Sequence, residues 1–157
     1  MALILSGDTG VPASGMPTGS VIQVVQGTLS SGYISTSSST YVTSGITATI
    51  TPISATSKIL IQFATSLYIS SGTGPAYLTV YKNNTTNLST TGVAGIGAEF
   101  FNLGNAWVPA SGIYLDSPAT TSATTYTVYV RVGNTSNVLI GGDSGMINSI
   151  ILQEVKG

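Results

Sequence analysis

Apolar and polar residues alternate with a period of two along most of this chain. In ITATIT (46–51), Ile46, Ala48 and Ile50 fall on one side and three threonines on the other. KILIQFATSLYIS (58–70) puts Ile59, Ile61, Phe63, Leu67 and Ile69 on one face. AYLTVYK (76–82) directs Leu78 and Val80 inward, and TYTVYVRV (125–132) does the same with Tyr126, Val128, Val130 and Val132. Alternating β-branched and aromatic residues are the mark of half-buried strands. VIQVVQGT (21–28), AEFFNL (98–103) and MINSIILQEV (146–155) are further strand candidates. Gly, Asn, Asp and Pro in TSG (43–45), SGTGP (71–75), KNNTTN (82–87) and GGDSG (141–145) predict chain reversals between them. No segment sustains an i, i+3, i+4 apolar pattern with a cap, so essentially no helix is expected. Many short strands with regular turns predict an all-β fold: an antiparallel, jelly-roll-like β-sandwich over residues 21–157.

Residues 1–20 differ. Leu3, Ile4 and Leu5 precede a run of Gly, Pro and Ser, which reads either as a frayed terminus or as an extended N-terminal arm that docks on a neighbouring chain. Several strands also carry apolar residues on both faces. Leu60 and Tyr68 lie opposite the Ile59 and Phe63 face, Tyr77 and Tyr81 lie opposite Leu78 and Val80, and Ile150, Ile151 and Leu152 are consecutive. A two-layer sandwich of one chain has polar outer faces. Leu3, Ile4, Leu5, Leu60, Tyr68, Tyr77 and Tyr81 are therefore the candidate assembly contacts, on the view that a partner chain buries the second face.

Composition narrows the function. Charged residues are 6% of the chain, against about 25% in an ordinary domain, and the net charge is −1. Four basic residues and no basic stripe give no footprint for nucleic acid. No apolar run reaches the roughly 18 residues that span a bilayer, so no membrane partner is expected. MALILSGDTG lacks a basic n-region and is not expected to be a secretion signal. With no Cys there is neither a disulfide nor a thiolate zinc site, and with no His there is neither a histidine triad nor an imidazole metal site.

A carboxylate pair is the remaining hydrolytic option, but Asp8, Glu99, Asp116, Asp143 and Glu154 are scattered. GVAGIGAEF (92–100) is neither a dinucleotide fingerprint nor a P-loop and reads as a loop entering a strand. GDTG (7–10) and GDSG (142–145) read as Asx-turns, since a calcium site needs six or more oxygens. The Asn-x-Ser/Thr triplets at Asn83, Asn84, Asn87 and Asn134 arise readily in so Ser/Thr-rich a chain. Trp107, the single Trp, is either a packing residue or a sugar-stacking platform. Tyr33, Trp107 and Tyr114 are the candidate receptor contacts. In YLDSPATTS, Asp116 reads as a turn residue that caps the backbone ahead of Pro118. No catalytic residue, metal or cofactor is expected.

The order of STSSSTYVTSGITATITPISATSKILI (35–61), YLDSPATTSATTYTVYVRV (114–132) and a closing IILQEVKG, after MALILSGDTGVP, resembles small β-sandwich virion proteins of tailed bacteriophages. The resemblance covers nearly the whole chain. It implies a homotrimeric, non-enzymatic protein of the virion. One role is a cement (head decoration) protein on the outer capsid surface, with the major capsid protein as partner. The alternative is a distal tail-fibre or tailspike domain that contacts a host surface glycan. The short chain, starting at its own Met without a β-helical or coiled-coil shaft, favours the cement role.

Overall fold

The computed structural model describes residues 12–29, 32–71, 74–89, 99–100, 106–133, 137–142 and 146–157. Its strands are β1 (Val21–Thr28), β2 (Tyr33–Thr36), β3 (Val42–Ile50), β4 (Lys58–Ser71), β5 (Ala76–Lys82), β6 (Thr86–Asn87), β7 (Glu99–Phe100), β8 (Val108–Asp116), β9 (Thr124–Val132), β10 (Asn137–Gly141) and β11 (Ser149–Val155). A 3₁₀ turn at Ala13–Gly15 is the one helical element among the described residues. Leu3, Ile4 and Leu5, the centre of GVAGIGAEF, and most of GDTG and GDSG lie outside them.

The eleven segments occupy eight lines in two sheets. On β4, Leu67 pairs with Val108 of β8 on one edge and with Ile140 of β10 on the other. Ala64 likewise pairs with Ser111 of β8 and with Ser149 of β11. So β10 and β11 run end to end along the same edge of β4. Beyond them β2 and β1 do the same, with Tyr33 opposite Gly141 and Thr28 opposite Ser149. This sheet is β8, β4, β10/β11, β2/β1. The other is β3, β9, β5, then β6 and β7 sharing the free edge of β5.

Counted as lines along the chain, the sheets are ordered one-eight-three-six and two-seven-four-five. Line one pairs with eight, two with seven, three with six and four with five, all antiparallel. The chain is thus one long ribbon rolled over on itself, which is the jelly roll. The β-sandwich read from the alternation is the observed fold.

The core lies between the sheets. Ile59, Ile61, Phe63, Leu67, Ile150 and Leu152 on one face meet Ile46, Ile50, Leu78, Val80, Tyr126, Val128 and Val130 on the other, all buried. Burying each such side chain contributes roughly 1.5–3 kcal/mol. Gly27 has a steric reason to be Gly: it faces inward where β1 approaches β3, and a Cβ there would stand 1.8 Å from the Thr47 carbonyl oxygen.

Two turn readings are corrected. TSG (43–45) does not reverse the chain. It lies inside β3, where the register with β9 shifts between Thr43 and Thr47 and Gly45 has φ +79°. A left-handed glycine there makes a bulge, and Ser44 turns inward to donate to the Val128 carbonyl at 2.7 Å. Asp116 is the last residue of β8 and is buried, because it stands on the inward-facing row. The turn ahead is shaped instead by Pro118 and by Ala119 at φ +51°. KNNTTN does reverse the chain, with Asn83 and Asn84 both at left-handed φ.

Residues 12–20 do not stand clear of the sandwich. The Gly19 N–H donates to the Lys156 carbonyl and the Lys156 N–H to the Ser20 carbonyl. The Lys156 Nζ donates to the carbonyls of Ser14 and Met16.

Candidate interaction surfaces

One end of the sandwich is closed by a polar row. Gln23, Glu154, Ile59 and Asp116 are neighbours across β1, β11, β4 and β8, all on inward-facing positions. Asp116 accepts from the Tyr126 hydroxyl at 2.7 Å and from Lys82 Nζ at 3.1 and 3.3 Å. Lys82 and Tyr126 belong to the opposite sheet, so the carboxylate ties the two layers together. Burial, then the hydrogen bond to Asp116 and the charge of that carboxylate, push the Tyr126 phenol well above its usual range. Glu154 is fully buried and accepts the backbone N–H groups of Ile53 (2.8 Å) and Ser54 (3.3 Å). The Gln23 amide, with its nitrogen turned inward, donates to Glu154 Oε2 and to the Thr51 carbonyl. Both carboxylates are therefore engaged in holding strands and the 51–57 loop. Among the described residues no group of three acids could hold a metal.

The two outer faces have opposite chemistry. On the β9 sheet the outward positions are mainly threonines and tyrosines, with Arg131 among them. Thr47 and Thr127 hydroxyls lie 2.9 Å apart and those of Thr49 and Thr125 2.8 Å apart, forming a cross-strand ladder. Tyr81 stacks on Tyr129 with ring centroids 4.1 Å apart, and the Arg131 guanidinium sits 3.9 Å from the centre of the Tyr77 ring.

On the β4 sheet two outward rows set aliphatic side chains among glutamines. Val24, Gln153, Leu60 and Leu115 form one row across the four lines, and Gln26, Ile151, Gln62 and Ile113 the next. Val24, Ile113 and Leu115 are 60%, 59% and 48% exposed. A third row, Thr28, Ser149, Ala64 and Ser111, is made of small residues, and the last three line a shallow depression beside Ile113 and Ile151. Past it Trp107 packs on Tyr68, their rings 5.5 Å apart. Lys58, at the far end, is the one charged side chain among the outward positions of the described strands on this face.

The predicted assembly contacts thus separate. Leu60 and Tyr68 are on the aliphatic face, whereas Tyr77 and Tyr81 are on the Thr/Tyr face, with Tyr77 buried beneath Arg131. The predicted receptor contacts do not converge either. Tyr114 occupies an inward position and packs against the core. Trp107 and Tyr33 lie toward opposite edges of the β4 sheet, Tyr33 on β2 and Trp107 beside β8, roughly 14 Å apart across three strand spacings. Val24, Ile113 and Leu115 were not identified by the sequence reading. For Ile113 and Leu115 the signal was the apolar residue at every second position of GIYL, which the pairing with β4 turns into a face.

No protein-family model matches the chain, and no curated protein matches it in sequence. Among solved structures it is similar to a chain in the structure of infectious bursal disease virus, Gt strain, with a TM-score of 0.52 and 9% identity. The likeness covers 99% of this chain and 42% of that one, so this chain spans less than half the length of its neighbour. At that identity the likeness is one of fold.

Proposed function

We propose that this chain is a structural protein of a virus particle: a homotrimeric cement protein on the outer capsid surface of a tailed bacteriophage, bound to the major capsid protein. The observation that carries the reading is the eight-line jelly roll, matched over 99% of the chain by a chain from a virus structure. The order of the Ser/Thr-rich motifs, which resembles small phage virion proteins, supplies the finer assignment. The protein works by adhesion and not by catalysis. Its two described carboxylate side chains are spent on the fold, and its aliphatic outer face suits the burial of protein surface.

Adhesion through such a face rests on apolar area and backbone hydrogen bonds, because few charges are available for ion pairs. The test is add-back. Purified protein is mixed with capsids lacking it and run on a density gradient. Co-migration at a fixed stoichiometry, with raised thermal resistance of the shell, supports the cement role. Protein left at the top of the gradient removes it.

A distal tail-fibre role is kept because one observation favours it. Thr43, Thr47, Thr127, Asn84 and Tyr129 line an uncharged groove beside the Gly45 bulge on the Thr/Tyr face. Hydroxyls, an amide and a phenol are the groups that hydrogen-bond a neutral sugar. Specific retention on a glycan array, lost in Tyr129→Ala, would favour that role.

A further inference from the structure

We infer that the free edge of β8 takes a second copy of this chain: two β8 strands pair antiparallel about a two-fold axis at Gly112, joining two sheets of this kind edge to edge. The inference goes beyond the virion reading and rests neither on it nor on the trimer.

The edges of the sandwich differ in how they are guarded. An open edge strand templates pairing with another chain unless it is short, bulged, charged or covered. Line one is interrupted between β1 and β2, and β1 has a register shift between Val21 and Gln23. The β3 edge carries the bulge at Gly45, and β6 and β7 are stubs of 2 residues each. By contrast β8 runs 9 residues against β4 without a register shift. Among the described residues no strand pairs with its other side. It carries no charge before Asp116, and that carboxylate is turned inward to Lys82. Ile113 and Leu115 on this strand are both exposed.

Backbone direction shows what the edge offers. The Asn148 carbonyl accepts the Leu29 N–H on the β1 side. Successive residues of a strand turn their backbone groups to alternate sides, so Ser149 bonds towards β4, at Ala64. Ala64 therefore faces β11, while Phe63 and Thr65 face β8, where their partners are Gly112 and Ala110. Pro109, Ser111, Ile113 and Leu115 are left with their backbone groups on the free side. Pro109 agrees with this, since its missing N–H falls where no ladder bond is lost.

These positions complement themselves. With Gly112 opposite Gly112 of the second copy, Ser111 of each strand exchanges both backbone bonds with Ile113 of the other. The Leu115 N–H then meets the Pro109 carbonyl of the second copy. Side chains alternate in size across the seam. Ile113 stands beside Ser111, Leu115 beside Pro109 and Tyr114 beside Ala110, so large meets small on both faces of the joined sheet. The two Ile113 side chains become diagonal neighbours, about 7–8 Å apart across the axis. A contact in which both copies use the same surface closes after two chains.

The test combines mass in solution with amide exchange. Light scattering after size exclusion of concentrated protein is expected to give an even number of chains. Ser111→Pro removes an N–H that β4 does not use, and Ile113→Lys sets two like charges beside the axis. Each is expected to halve the mass with unchanged circular dichroism, whereas Val24→Lys, on the opposite edge of the same sheet, leaves it whole. Hydrogen exchange read by NMR is expected to be slow at Ser111, Ile113 and Leu115 in the unaltered protein. In Ile113→Lys it becomes fast at Ser111 and Leu115, while Tyr114, bonded to β4, stays slow in both. The pairing is overturned by an odd number of chains in the unaltered protein, by a mass that either β8 variant leaves whole, or by fast exchange at Ile113 and Leu115 in the unaltered protein. The halved species reads the trimer separately: three chains keep it, and one chain removes it while the β8 contact stands.

Discussion

Removing the Asp116 carboxylate decides whether this residue is a structural tie or a functional acid. In Asp116→Ala two interactions are lost. The buried Tyr126 hydroxyl loses a 2.7 Å bond to a charged acceptor, worth roughly 1.5–3 kcal/mol. Lys82 loses its ion pair, but its side chain is 23% exposed and water takes over part of its solvation, so this loss lies near the exposed-pair value of about 0–1 kcal/mol. Together these destabilise the fold by about 2–4 kcal/mol, a fall in Tm of roughly 6–12 °C for a chain of this size. Urea titration and thermal melting by circular dichroism measure both. Tyr126→Phe keeps the ring in the core and removes only the donor, so the double variant should be less destabilised than the sum of the singles by about 1–2 kcal/mol. A loss under about 0.5 kcal/mol in Asp116→Ala, or strict additivity, would refute the tie and return Asp116 to the list of functional candidates.

Four further outcomes are expected. The folded chain holds the Tyr126 proton after the unfolded chain releases it near pH 10, so the folded state binds more protons there and stability falls as pH rises. The stability gap between the wild type and Tyr126→Phe should therefore be constant from pH 7 to 9 and shrink above about pH 10; a gap that widens contradicts the assignment. Gly27→Ala should cost about 3 kcal/mol or yield insoluble protein, since its methyl meets a backbone carbonyl that cannot rotate away; near-wild-type melting would mean that β1 and β3 are not so close. Glu154→Ala leaves the Ile53 and Ser54 N–H groups without their acceptor and the Gln23 amide with only the Thr51 carbonyl, and should cost about 3 kcal/mol or more and expose the 51–57 loop to protease; unchanged proteolysis tells against this anchor. The proposed trimer, of a chain with so few charges, should persist at about 1 M NaCl, where the Debye length is roughly 3 Å, and dissociation there would place ion pairs between the copies.

The sandwich was legible because its inward rows are almost purely apolar. The alternation in Lys58–Ser70, Ala76–Lys82 and Thr125–Val132 names the residues of the inter-sheet core, although Tyr77, Thr79 and Thr127 on the opposite positions are buried as well. The bulge at Gly45 was not legible, because a glycine between Ser and Ile serves equally for a reversal or for a left-handed residue within a strand; only pairing with β9 decides. Asp116 was misread for a related reason. Its neighbours Ser117 and Pro118 do make a turn, but a carboxylate one residue inside the strand follows the strand's facing, and its partners Lys82 and Tyr126 are distant in sequence. The aliphatic face was half legible. Leu60 and Tyr68 were visible as second-face residues, whereas Val24, Ile113 and Leu115 become one surface with them only through the order of lines in the sheet.

Location on the particle is the most direct test of the central claim. Purified virions of the phage proposed to encode this chain would be labelled with an antibody to the protein and colloidal gold, then imaged by electron microscopy. A cement protein predicts gold distributed over the whole head. Gold confined to tail appendages, or absent from particles, contradicts it.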